Sequence, residues 1–259
     1  MTDTTPDPVN VVTLDPWEAL RRHTDASIAL GRAGASLPTA HVLRFSYAHA
    51  SARDAVHIPF DREALRAGLS GLGLMNVPVS SRAETRQTYL ARPDLGRRLT
   101  AEDAARLAAL GSAPCDVAIV VADGLSSTAI AANAVPFIAD LLPLLKTEGL
   151  SVGPVAVVEN GRVAIGDEIG AALKARLVLV LIGERPGLSS VDSLGAYLTY
   201  GPKPGLSDAD RNCISNIREA GLKLPLAAAK AFWLIREALK RKLTGVDLKE
   251  EQQAALPGS

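Results

Sequence analysis

The sequence predicts an α/β fold: a Rossmann-like, mostly parallel sheet covered by helices and preceded by a helical N-terminal region. Three observations predict it. From Pro114 onward, short β-branched apolar runs alternate with helical stretches. Those runs are apolar at consecutive positions, the pattern of strands buried on both faces. The hydrophobic content of 47% includes only 4% aromatic residues, so Ala, Leu and Val supply the apolar mass that helix-on-sheet packing uses.

The elements follow in order. Residues 1–15 read as a disordered N-terminal tail, polar and interrupted by prolines. Residues 16–111 read as helices and loops with many arginines and no convincing long strand. Asp15-Pro16 supplies an N-cap and a proline at the first helical position, predicting a helix through Ala29 that Gly31 and Gly34 end. A second helix starts at Pro38-Thr39, with Val42, Phe45, Ala48 and Ala52 at helical spacing. A third runs from Ala64 to Leu74, and a fourth opens at Thr100, where Asp103 three residues on resembles the partner of a capping box. Residues 112–248 carry the sheet. Asp116 to Ala122 (DVAIVVA) is a buried strand, followed by a turn and a helix over Thr128 to Lys146, which Pro136 and Pro143 are expected to kink or shorten. Val155 to Val158 is a strand, Asp167 to Lys174 a helix, Leu177 to Ile182 (LVLVLI) a strand and Tyr197 to Tyr200 a further one. Pro225 to Leu243 closes the fold as a helix with a basic last turn. Residues 249–259 form a C-terminal tail.

In an open parallel sheet, ligands bind beyond the carboxyl ends of the strands. Three glycine-bearing loops leave those ends: Asp123 to Ser126, Glu159 to Val163, and Gly183 to Ser189. Together they predict a crevice. No strand is followed by G-x-G-x-x-G, and no Walker A sequence occurs, so ordinary dinucleotide or ATP binding is disfavoured.

Composition excludes further classes. With 28 basic and 28 acidic residues the net charge is zero, leaving no electrostatic footprint for nucleic acid. The mean hydropathy of +0.15 is high for a chain with 22% charged residues. The longest strongly apolar run, Val117 to Ala122, is far shorter than the roughly 20 residues of a membrane helix. No secretory signal is visible, and two cysteines suit a reducing compartment, so a soluble cytoplasmic protein is expected. The histidines His23, His41, His49 and His57 show no metal-ligand spacing and read as solvated or capping residues. Cys115, at a strand entrance, reads as core. Cys213, in the polar segment Asp210 to Asn216, has the better claim to a site, although no histidine near it in sequence makes a nucleophile pair. From the residues alone, the chain is a binder of something large and polar, without self-contained catalytic apparatus.

Five segments carry a resemblance: Gly31-Arg32-Ala33-Gly34, Tyr89 to Leu99 (YLARPDLGRRL), Asp123-Gly124-Leu125-Ser126, Gly183 to Leu188 (GERPGL) and Asp210 to Asn216 (DRNCISN). In order and separation they resemble the small (light) subunit of ethanolamine ammonia-lyase, over roughly residues 17 to 246. RPDLGRRL, GERPGL and NCISN form a specific combination, whereas DGLS alone carries little.

The resemblance implies an adenosylcobalamin-dependent lyase that converts ethanolamine to acetaldehyde and ammonia by radical chemistry. It implies a hetero-oligomer in which a TIM-barrel large subunit carries substrate and the main catalytic residues while the small subunit completes the cobalamin site. It assigns cobalamin contacts to Val163, Glu184 and Cys213, and no catalytic or metal-ligating residue to this chain. A carboxylate such as Glu184 suits the amide N–H groups fringing a corrin, Val163 offers apolar contact, and Cys213 backbone groups or a soft van der Waals contact. A salt bridge from Glu184 to Arg185 or a neighbouring helix is the competing structural role. The cobalt-ligating pattern D-x-H-x-x-G is missing, since Arg21, Thr39, Tyr47 and Ala55 precede the four histidines by two, so a base-on cofactor is expected. Some relatives carry a longer N-terminal extension linked to bacterial microcompartments; here the N-terminus is short and proline-bearing, leaving a free cytoplasmic enzyme equally open. The competing functions are a stand-alone nucleotide-dependent Rossmann-like enzyme and a corrinoid carrier or scaffold without turnover.

Overall fold

The computed structural model of the chain describes residues 11–111 and 113–249. Of the disordered tail expected over residues 1–15, residues 1–10 lie outside them, whereas Val12–Thr13 form a strand; of the C-terminal tail expected over 249–259, residues 250–259 lie outside them. The chain divides into two compact units, Met1–Asp54 with Gly187–Ser190, and Ala55–Pro186 with Val191–Ser259.

In the first unit, β1 (Val12–Thr13) pairs antiparallel with β2 (Arg32–Ala33). Between them the helix expected from Asp15-Pro16 to Ala29 is reduced to 3-10 turns over Glu18–His23. Asp15 accepts the Trp17 N–H at 2.8 Å. Trp17 and Leu20 remain exposed, so no apolar face anchors a longer helix, and short unanchored helices are marginal in water. The helix α1 forms over Thr39–His57. Its apolar residues do not make a core stripe: Val42, Leu43, Phe45 and Tyr47 are all exposed.

The second unit begins with α2 (Arg62–Gly71), β3 (Asn76–Ser80), α3 (Arg86–Ala91) and α4 (Ala101–Leu110). It continues with β4 (Cys115–Ala122), α5 (Ser127–Thr147), β5 (Val155–Glu159), α6 (Ile165–Ala172) and β6 (Ala175–Gly183), then closes with β7 (Leu194–Tyr200), β8 (Asn212–Ile217) and α7 (Leu224–Arg241). The six strands lie in the order β3-β5-β4-β6-β7-β8. The first four are parallel, while β7 and β8 add antiparallel to β6. The α/β expectation of a mostly parallel sheet flanked by helices is met.

Strand β3 is an addition to the sequence reading. Its sequence, NVPVS, contains a proline that cannot donate to a ladder, and it occupies the edge position where such a residue is tolerated. The capping expectation at Thr100 is half met. Thr100 Oγ accepts the Asp103 N–H at 3.3 Å, but the Asp103 carboxylate accepts from the Ser80 N–H at 2.7 Å, tying α4 to β3. Pro136 and Pro143 do not interrupt α5, which runs unbroken to Thr147. Both prolines are on its exposed side, and the Thr147 hydroxyl donates to the Pro143 carbonyl at 2.9 Å. By length and composition α5 is the one helix among the described residues apolar enough to cross a membrane; here it packs against α7, α2 and the sheet.

The two sheet faces are covered unequally. On one, α2, α5 and α7 bury a large cluster including Phe137, Leu179, Leu198 and Ile214. On the other, Leu107 of α4 and Ile165 and Ile169 of α6 cover Val120, Val158 and Val180. The short α6 packs mainly on β6 and β4, and through Asp167 and Arg211 it reaches only the Thr199 end of β7.

The tightest point is where the loops after β4 and β6 meet. Gly124 has φ +59°, and a Cβ on Gly183 would overlap Ser126 O and lie 2.6 Å from Asp123 O. Gly183→Ala is therefore expected to destabilise the fold by about 2 kcal/mol or more, as overpacking a closed contact does. Urea denaturation measures it; a stability within error of wild type would contradict the close approach.

Candidate functional site

The three predicted loops come together. The Gly161 N–H donates to Asp123 Oδ1 at 3.2 Å, and the Leu125 N–H donates to the Gly183 carbonyl at 2.9 Å. Ser126 caps α5 by accepting the Ala129 N–H at 3.1 Å, and its hydroxyl donates to Val191 O at 2.6 Å. The connection after β4 leads to one face of the sheet and the connection after β5 to the other, so their loops diverge as at a topological switch point.

Beneath these loops is a buried polar hub. Arg86 donates through Nη1 to Asp123 Oδ2 at 3.1 Å and to Gly124 O at 2.7 Å, and through Nε to Val56 O at 2.8 Å. The fully buried Tyr89 ring has the Arg86 guanidinium 4.9 Å and the Arg162 guanidinium 4.0 Å from its centroid. Burial raises the Tyr89 hydroxyl above its ordinary pKa. Burial also pushes the Asp123 carboxyl up to about 7, against the pull of Arg86 and the Gly161 N–H. The segment Tyr89 to Leu99 docks on the β5 loop and α6. The Arg162 N–H donates to Gly96 O at 2.8 Å, and the Leu99 N–H and Arg98 both meet Glu168, at 2.8 and 2.5 Å. Arg98 thus has an intramolecular partner, while Arg92 makes an exposed pair with Asp94.

Val163 precedes α6 and is half-buried against the cluster containing Val158 and Ile182, with Tyr197 packed on the same cluster. Cys213 lies on strand β8, which corrects the expectation of a polar loop. It stands opposite Tyr197 of β7 and is exposed. Desolvation around its sulfur raises the thiol pKa; a hydrogen bond from Tyr197 opposes this and the Glu184 charge adds to it. A thiol held protonated is a contact group rather than a nucleophile. Glu184 makes no pair with Arg185. Its carboxylate accepts the Ser193 hydroxyl at 2.5 Å, the Ser215 hydroxyl at 2.6 Å and the Asn216 N–H at 3.1 Å.

Tyr197, Cys213, Ser215 and Glu184 come together on the outer face of β7 and β8, while Val163 lies before α6 against the cluster that α6 covers. On β7 and β8 the side chains under α7, Leu194, Ala196, Leu198, Ile214 and Ile217, are buried. Opposite them Tyr197 is half-buried, and Cys213 and Ser215 are exposed. The result is an open shelf that carries the Tyr197 ring, the Cys213 thiol and the Ser215 hydroxyl beside the Glu184 carboxylate. Ser193 and Ser215 lacked any sequence signal, because the contact to Glu184 spans 9 and 31 residues and depends on strand pairing.

A buried ion pair fixes the shelf's inner end. Arg211 donates to both Asp167 oxygens, at 2.6 and 2.7 Å, and to Thr199 Oγ1 at 3.0 Å. Burial works against the Arg211 charge, and Asp167 outweighs it, leaving the guanidinium above its ordinary value. Asp167 follows Val163 by four residues on α6 and Arg211 precedes Cys213 by two, so the pair joins the two segments.

Among the described residues no group of three or more His, Cys, Asp and Glu side chains is arranged to hold a metal ion. A groove of about 450 Å³ lies elsewhere, lined by Glu148, Arg176, Arg236, Glu237 and Lys240. Arg176 there is paired with Asp116, and Arg236 and Arg241 with Glu237.

A family model described as ethanolamine ammonia-lyase light chain (EutC) matches residues 14–249. A protein of Azotobacter vinelandii named ethanolamine ammonia-lyase small subunit is 56% identical over 246 residues, covering 94% of this chain and 91% of the relative. One of the same name from Ralstonia nicotianae is 53% identical over 259 residues, covering 99% and 96%. A third, from Rhodopseudomonas palustris, is 55% identical over 239 residues, covering 92% of each.

Arg211→Ala should cost about 3–5 kcal/mol in denaturant unfolding, because it leaves the Asp167 charge buried and alone. Replacing both partners with apolar residues of similar volume should cost less than either single change, and a larger loss in the double variant would contradict this account. Asp123 gives a pH signature. A carboxyl raised from about 4 to about 7 on folding binds its proton more tightly in the folded state, so its stabilisation is full below pH ~4 and lost as pH rises through 7. Relative to Asp123→Asn, the wild type should lose stability between pH 4 and 7; a pH-independent difference would show that the carboxyl is not shifted.

Proposed function

The chain belongs to the ethanolamine ammonia-lyase light-chain family, and on that premise we propose that it completes the cobalamin site of an adenosylcobalamin-dependent ethanolamine ammonia-lyase. It is an ammonia-lyase subunit, and the main catalytic residues belong to the large subunit. In this reading the partner is a TIM barrel that binds ethanolamine, the assembly is a hetero-oligomer, and the products are acetaldehyde and ammonia. The setting is the cytoplasm, free or within a bacterial microcompartment.

The observation that carries the reading is the open shelf over β7 and β8. A corrin is a broad apolar ring fringed with primary amides, and the residues present suit it. Tyr197 offers apolar surface next to the Glu184 carboxylate, Cys213 stands opposite Tyr197 as a neutral contact, Ser215 adds an acceptor, and Val163 offers apolar surface at the start of α6. The same rim is poorly suited to a phosphate, since a carboxylate and hydroxyl acceptors face the ligand, which weighs against a stand-alone nucleotide enzyme. When bound, adenosylcobalamin supplies the radical chemistry. This chain's residues bind and orient: Glu184 accepts an amide N–H, Val163 and Tyr197 exclude water from one side, and Asp167 with Arg211 keeps their supporting segments together. No histidine lies among these residues, so the cofactor is expected to keep its own base on cobalt.

Partner binding draws support from the first unit. Val11, Leu14, Trp17, Leu37, Leu43, Phe45 and Tyr47 are more than half exposed, a concentration of large apolar side chains typical of interfaces. It also gives the high mean hydropathy a location.

Co-expression with the TIM-barrel partner, followed by adenosylcobalamin and ethanolamine, tests the function. Acetaldehyde is expected from the complex, and its absence from a well-folded complex would overturn the assignment. Glu184→Ala should raise the cobalamin dissociation constant by about tenfold or more, the loss expected for a hydrogen bond to a charged group, with assembly intact. Unchanged affinity would remove Glu184 from the site, and a base-off visible spectrum would refute the base-on expectation.

A further inference from the structure

We infer that Ser193 and Ser215 are positioning residues that hold Glu184 across Gly195, leaving its carboxylate one open acceptor site for an N–H donor of the bound cofactor. The inference rests on the cobalamin reading and adds the device that makes Glu184 selective. A carboxylate offers about four lone-pair sites. Three are taken here: Oε2 accepts from Ser193 Oγ and the Asn216 N–H, and Oε1 accepts from Ser215 Oγ. The remaining site is on Oε1.

The backbone is built for this arrangement. Between Leu194 and Ala196 of β7 lies Gly195 alone, whereas between their partners Ile217 and Ile214 of β8 lie Ser215 and Asn216. Two residues facing one make a β-bulge, a feature that re-aims side chains beside functional sites. Asn216 takes φ +59° within it. The bulge brings the Ser215 hydroxyl and the Asn216 N–H to the same carboxylate. Opposite them, a Cβ on Gly195 would lie 3.0 Å from Glu184 Oε1 and 3.2 Å from its Cγ. Glycine is the residue that lets Glu184 lie flat across the strand.

The chemistry of the ligand group follows. The Ser215 hydroxyl gives its proton to Glu184, so toward a ligand it too is an acceptor. An amide N–H satisfies both groups, whereas a carboxylate at the same place brings like charge and no donor. The clamp therefore selects a primary amide at one position of the ring.

The test uses the complex with the large subunit and titrates adenosylcobalamin by visible absorbance. Ser215→Ala is expected to raise the dissociation constant about tenfold. Ser215→Thr, which keeps the hydroxyl and suits a strand, should bind as wild type. Ser193→Ala and Gly195→Ala should also weaken binding, and the exposed Ser215 carries the test if the buried Ser193 variant fails to fold. In a Glu184→Ala background, Ser215→Ala should add nothing, because its effect passes through Glu184. Cyanocobalamin monocarboxylates, each with one amide converted to acid, supply a second reading. One isomer should bind poorly to wild type and recover with Glu184→Gln. If Glu184→Ala weakens binding while Ser215→Ala does not, or if the two losses add in full, the clamp is overturned and the cobalamin contact stands. If Glu184→Ala itself has no effect, the contact assignment fails first.

Discussion

The buried pair of Asp167 and Arg211 is the constraint on which the arrangement of the shelf depends. Both side chains are almost wholly inaccessible, and each guanidinium–carboxylate bond is short. Removing two charges from water is costly, and only close, bidentate geometry with further hydrogen bonds offsets it. Thr199 and the Leu206 carbonyl supply those bonds. The pair holds α6 to the approach of β8 because neither charge can leave the other without remaining buried and unpaired. The pair, 44 residues apart in sequence, therefore ties together the segments bearing Val163 and Cys213.

The unequal cover of the sheet turns that constraint into a site. Helix α7 packs on β6, β7 and β8, whereas α6 packs mainly on β6 and β4 and reaches β7 only at Thr199, through Arg211. A two-faced apolar strand needs cover on both faces, but the outer residues of β7 and β8 are mixed: Tyr197, Cys213 and Ser215 tolerate water and can also meet a ligand. The hub of Arg86, Asp123 and Tyr89 plays the complementary part beneath the loops. It ties their backbones together through carbonyl and N–H contacts.

Much of the fold was legible in the sequence because a strand buried on both faces leaves a run of aliphatic residues that no local feature hides. The strands β4, β5 and β6 show this. Strand β3 escaped because its Asn and Pro are edge-tolerated residues in a short segment, and its membership depends on pairing with β5. The helix expected at Asp15-Pro16 failed for the opposite reason: the local start signals are present, but no partner surface stabilises a long helix there. Pro136 and Pro143 lie on the solvent side of α5, where a missing backbone bond is tolerated.

The site divides in the same way. The sequence by itself determined the class of fold, the three loops at the carboxyl ends of the parallel strands, and, through its motifs, the resemblance that pointed to Val163, Glu184 and Cys213. Those signals are local: glycines at turns, apolar runs and short motifs survive in one dimension. Only the tertiary structure decided that Cys213 sits on a strand opposite Tyr197, that Glu184 is gripped by Ser193 and Ser215, and that Asp167 finds Arg211. Each of these depends on strand register and on which face a helix leaves open, and register is set by long-range pairing in which a shift of one residue would turn every side chain to the other face.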